Sequence, residues 1–94
     1  MKSTATYAPR LLADVVIAPI SDGEVVVATP DSQRALVLNE TAAVVVSLCT
    51  GQHTVRAIAQ LFAETLNLEI ERAEQDVQSL LVDLQAQGLL EEEG

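Results

Sequence analysis

The rhythm of hydrophobic and polar positions changes midway along this chain, and the change separates strands from helices. Val15 to Ile20 and Glu24 to Thr29 are runs rich in β-branched residues, divided by the turn signal Ser21-Asp22-Gly23. Pro30-Asp31-Ser32-Gln33 is a second turn, with Pro30 fixing φ at its start. Arg34 to Leu38 then reads as a third short strand. From residue 39 the period becomes helical. Asn39 is a natural N-cap, because its side-chain oxygen can accept an orphan backbone N–H. The first helix is predicted from about Glu40 to Cys49. Its Val44-Val45-Val46 run is poor helix material by propensity, so burial must hold it. Gly51 supplies a left-handed stop. Thr54 caps a second helix, in which Val55, Ile58, Ala59, Leu61 and Phe62 form one buried stripe, and Asn67 ends it. The third helix runs from Glu71 to Gln87. Val77, Leu80, Leu81 and Leu84 share one face at i, i+3, i+4, i+7 spacing, and Glu71 and Glu74 sit in the first turn, where the macrodipole favours acid. Gly88 ends it, and Leu89 and Leu90 pack back.

These elements predict an α+β chain of winged helix-turn-helix type, a three-stranded antiparallel sheet followed by three helices. One domain spans residues 15–90. Residues 1–14 read as a loose arm and residues 91–94 as a solvated acidic tail. In Val15-Val16-Ile17-Ala18 and Val25-Val26-Val27-Ala28 apolar residues occupy both faces of the hairpin, whereas a sheet with one wet face should alternate. Leu11 and Leu12 of the arm, a second subunit or a bound segment must therefore cover the outer face. With so little cover in the arm, a homodimer is favoured over a monomer.

Composition removes several function classes. The chain has 94 residues, enough for one core, and 49% of them are hydrophobic. Five basic residues stand against fourteen acidic ones, a net charge of −9, and Lys2, Arg10, Arg34, Arg56 and Arg72 are scattered. A winged helix that reads DNA needs basic residues gathered on one face, so fold pattern and charge disagree, and no nucleic-acid partner is expected. No apolar run is long enough to span a membrane, and no signal peptide is recognised. The single cysteine, Cys49, excludes an internal disulfide and suits a reducing cytoplasm. Enzymatic chemistry finds no support. His53 is the only histidine and lies in a turn without a nucleophile beside it. One Cys and one His cannot complete a zinc site, and the glycines at 23, 51, 88 and 94 are too isolated for a phosphate loop. No cofactor or metal is expected.

Three segments together carry a resemblance. L-V-L-N-E-T-A-A from Leu36, T-G-Q-H-T-V-R-A-I-A from Thr50 and D-V-Q-S-L-L-V-D-L-Q-A-Q-G-L-L from Asp76 resemble the PqqD family, named for coenzyme PQQ synthesis protein D. The likeness covers about residues 15–90. It lies in the order of a strand ending in Leu-Asn, a small-residue helix, a Gly turn followed by Thr-Val, and a last helix closing with Gly-Leu. It implies a non-catalytic recognition element that binds the leader of a ribosomally made precursor peptide. That element presents the leader to a modifying enzyme, often a radical SAM protein, in the biosynthesis of PQQ or of another peptide-derived product.

An exposed edge strand can accept an extended peptide as another strand, which gives this role a mechanism. Arg34, Ala35, Leu36, Val37 and Leu38 form the natural edge, because this strand runs directly into a helix. The resemblance places the groove between it and the third helix, at Val77, Leu80, Leu81 and Leu84, with Asp76 and Asp83 on the flank. Each of those leucines is individually more often core than groove, and flank carboxylates are more often merely solvated. Two other readings remain at this level: a winged-helix transcriptional regulator, which the charge disfavours, and a purely structural subunit of an enzyme complex.

Overall fold

In the computed structural model, which describes residues 7–31 and 33–91, three strands precede three helices. The strands are β1 (Val16–Ser21), β2 (Glu24–Ala28) and β3 (Ala35–Asn39), antiparallel and in the order β1-β2-β3. The helices are α1 (Glu40–Ser47), α2 (Val55–Leu66) and α3 (Ile70–Ala86). Each element lies within two residues of its predicted bounds. α1 is the shorter for it: it stops at Ser47, and Cys49 follows the helix rather than ending it.

Local chemistry sets the element ends. Asn39 closes β3 and caps α1, its Oδ1 accepting from the Ala42 N–H at 2.8 Å. Thr54 Oγ1 accepts from the Ala57 N–H at 3.1 Å and starts α2. Asn67 ends α2 in the left-handed region at φ 55°, a conformation Asn tolerates better than most residues. Pro19 lies in β1, an edge strand, where a missing N–H costs no ladder bond, and the register slips beside it between Pro19 and Ser21.

One core serves the domain. Ile58, Ala59, Ala73, Val77, Leu84 and Leu89 are fully buried, packed with Val45, Val46, Phe62 and, from the sheet, Val27. Burial thus holds the valine-rich α1. The predicted stripe of α2 is corrected at one position: Leu61 is 38% exposed, and Ala63 is buried instead.

The loose arm is also corrected. Residues 7–12 are tied to the helix ends by backbone hydrogen bonds. Tyr7 O accepts from the Val55 N–H, Pro9 O from Gly51 and Arg10 O from Glu91, while the Leu11 and Leu12 N–H groups donate to Cys49 O and Leu89 O. Pro9 is fully buried. Glu91 belongs to this junction too, with its carboxylate 3.7 Å from the Arg10 guanidinium. The rest of the predicted arm at residues 1–6, and of the tail at residues 92–94, lies outside the described residues. Because Leu11 and Leu12 are spent at the helix ends, they leave the outer sheet face open. There Val16 and Val37 are 52% and 53% exposed, and Ala18 and Val26 lie between them in register. Among the described residues no helix is long and apolar enough to cross a membrane.

A candidate peptide-binding groove

The sheet ends at β3, and the pairing phase shows which backbone groups it leaves unused. Residues of β2 and β3 pair with constant register, from Glu24 with Asn39 to Ala28 with Ala35. Just beyond each end of the ladder, the Thr29 N–H donates to Arg34 O and the Glu40 N–H donates to Gly23 O. Antiparallel pairs alternate between bonded and non-bonded, so both ends assign Val27–Leu36 and Val25–Leu38 as the bonded pairs. The N–H and C=O groups of Ala35 and Val37 therefore point away from β2, toward the open edge, as does the Asn39 N–H. Side chains alternate in the other direction. Leu38 is buried and Leu36 half-buried on the helix side, while Val37 and Ala35 are exposed on the other.

α3 lies across the open edge. Between them is a cleft of about 430 Å³. Val37, Leu38 and Asn39 form one wall, and Asp76, Ser79, Leu80 and Asp83 form the other. Val45 of α1 and Phe62 of α2 close the floor, with Thr41 and Ala42 at the end. An apolar floor between a hydrogen-bonding edge and a polar rim suits an extended peptide, which needs main-chain partners and one anchoring side chain. Farther along β3 a larger cleft of about 910 Å³ involves Arg34, Gln85, Gln87, Gly88 and Leu90. The guanidinium of Arg34 reaches across it, Nη1 donating to Gly88 O at 3.3 Å. Gly88 has φ 70°, and a Cβ there would come within 3.3 Å of Arg34 Cδ, so Gly both ends α3 and admits the arginine.

The sequence-predicted residues are thus distributed over four places. Val37, Leu38, Asp76, Leu80 and Asp83 meet at the smaller cleft. Arg34 belongs to the larger one, and Ala35 and Leu36 lie on the strand between. Val77 and Leu84 are fully buried and Leu81 nearly so; they are core beneath the groove and do not line it. The sequence reading missed Asn39, Thr41, Ala42, Val45, Phe62 and Ser79. Ser79 had a signal, since it falls between Asp76 and Asp83 on one helical face. Phe62 and Val45 had none, because their approach depends on how three helices pack.

Two features bear on chemistry and on charge. Cys49 is buried, and burial pushes its thiol up to about 11. Among the described residues no three His, Cys, Asp or Glu side chains converge as metal ligands would. The basic residues of α2 and α3 are Arg56 and Arg72 alone, and Arg72 pairs with Asp76 at 3.5 Å.

Comparison with known proteins gives the family and the fold. The family described as coenzyme PQQ synthesis protein D (PqqD) matches residues 24–90. Among solved structures, the PqqD truncation of Methylobacterium extorquens PqqCD is 27% identical with a TM-score of 0.73, over 89% of this chain and 88% of that one. It is described as a functional, stand-alone recognition element for ribosomally synthesised and post-translationally modified peptides. Lasso peptide synthetase B1, complexed with its leader peptide, is 26% identical with a TM-score of 0.72, over 90% of this chain and 99% of that one. TbiB1, in complex with the TbiA(beta) leader peptide, shares the fold at 22% identity and a TM-score of 0.72, over 90% and 98% of the two chains. No curated protein matches the sequence.

Proposed function

This chain belongs to the PqqD family, and from that premise we propose that it is a recognition module without catalytic activity of its own, binding the leader of a ribosomally made precursor peptide. The observation that carries the reading is the unused backbone of Ala35 and Val37 beside the α3 cleft. A leader segment adds to β3 as a fourth strand and drops one apolar side chain against Leu38, Ala42 and Leu80, above the buried Val45 and Phe62. Main-chain bonds supply affinity with little sequence demand; the floor and rim supply the selection. Ordering a flexible leader costs several kcal/mol, so the affinity expected is on the order of micromolar to sub-micromolar. The module then presents the leader to a modifying enzyme in the cytoplasm. We assign that enzyme to the radical SAM class, and the product to PQQ or another modified peptide. The exposed outer sheet face supports a homodimer that covers Val16 and Val37.

Calorimetric titration of the cognate leader peptide tests the reading. The wild type should bind. Val37→Pro removes an N–H that points outward, where the β2 ladder does not need it, so the fold should survive while affinity falls about tenfold or more. Leu38→Pro removes an inward donor of the bonded Val25–Leu38 pair and should cost stability as well. Equal affinity in wild type and Val37→Pro would refute strand addition at β3. Binding to random duplex DNA at low salt would instead favour the regulator.

A further inference from the structure

The groove beside β3 has opposite charge at its two ends. α3 runs antiparallel to β3 along it: Asp76 and Asp83 share the cleft with Val37 to Asn39, while Gln85 and Gly88 share the other cleft with Arg34. At the first end stand two carboxylates. Asp76 is partly engaged by Arg72 at 3.5 Å, in an exposed pair of little strength, and among the described residues Asp83 has no ion pair. At the second end Arg34 gives one N–H to Gly88 O and keeps its other donors. Glu91 also lines this end, in an equally exposed and weak pair with Arg10 at 3.7 Å, so the two arginines there outnumber the one carboxylate. From Arg34 to Leu38 the strand advances four residues, roughly 13 Å.

We propose that this polarity selects the leader: the segment that adds to β3 carries a basic residue for the Asp76–Asp83 end and an acidic residue for the Arg34 end, about four positions apart. The whole sheet is antiparallel, and antiparallel pairing is the more stable per residue, so the added strand runs opposite to β3. Its N-terminal side then faces Asn39, and the basic residue precedes the acidic one. Like charges in the reverse order would meet Asp83 with an acid and Arg34 with a base, which rejects peptides that satisfy the backbone alone. The inference rests on the leader-binding reading above.

The test is a selection from a displayed library of random peptides about twelve residues long, long enough to span the groove, at low salt. The bait is the full chain as wild type, Asp83→Lys, Arg34→Gln, Arg34→Glu and Val37→Pro. Wild type should enrich peptides with Lys or Arg about four positions ahead of Asp or Glu, by about threefold to fivefold per charge. Asp83→Lys should lose the basic preference, and Arg34→Gln the acidic one. Arg34→Glu should invert it; Arg34→Gln keeps that arm interpretable if the added charge disturbs the Gly88 contact. Enriched peptides without charge order, or with the same order on every bait, would overturn the polarity while leaving strand addition intact. No enrichment on wild type, or equal enrichment on Val37→Pro, would overturn both.

Discussion

Single side chains here act through burial and through backbone direction. Cys49 is 3% exposed, with Sγ 3.4 Å from Val45 O, and its burial favours the neutral thiol. Burial raises its pKa from 9.0 to about 11, so the folded chain holds a proton that the unfolded chain loses first. The unfolded state then binds fewer protons, and stability must fall as pH rises. The contribution is fully present below about pH 9 and is lost toward pH 11, on the order of 2 kcal/mol. Chemical denaturation across that window should show the decline, and Cys49→Ala should flatten it. Alkylation of the native thiol at pH 8 as fast as in denatured protein would contradict the burial. Val37 shows the other mode. Its side chain stands outside the core cluster, yet its N–H points to the open edge, where the proposed guest strand would pair.

The elements were legible where local chemistry decides them. The β-branched runs, the caps at Asn39 and Thr54, and the stops at Asn67 and Gly88 all work within a few residues, and the structure places them as the sequence does. The groove was half legible. Periodicity marked the apolar face of α3 but not which part of that face α2 covers, so Val77 and Leu84 were read as lining and are core. Phe62 and Val45 reach the cleft through helix packing, which leaves no trace in spacing. The segment 7–12 escaped for a different reason. It docks through main-chain bonds to Cys49, Gly51, Val55 and Leu89, and small or apolar residues without periodicity do not announce such bonds. It should therefore behave as part of the domain. Deleting residues 1–12 should lower the thermal midpoint by several degrees, as expected when about one to two kcal/mol is lost from a domain of this size. An unchanged midpoint would restore the loose arm.

At the scale of the molecule, charge and exposed apolar surface pull in different directions. A net charge of −9 opposes nucleic acid and favours solubility. The outer sheet face, with Val16 and Val37 each about half exposed, favours contact with a second chain. Because that face adjoins the edge that would take a leader, the proposed self-association and leader binding would share Val37. Light scattering should report a dimer at high micromolar concentration, and Val16→Lys should shift it to monomer. A single 10.0 kDa species in wild type would remove the dimer from the account.

In the proposed function the outward backbone of β3 pairs with a guest strand. Amide hydrogen exchange tests it directly. In the free chain the Ala35 and Val37 amides should exchange fast, while Leu36 and Leu38, bonded to β2, exchange slowly. Saturating leader should protect Ala35 and Val37 and leave Leu36 and Leu38 as they were. Protection that appears on α1 and α2 while Ala35 and Val37 stay open would contradict the claim.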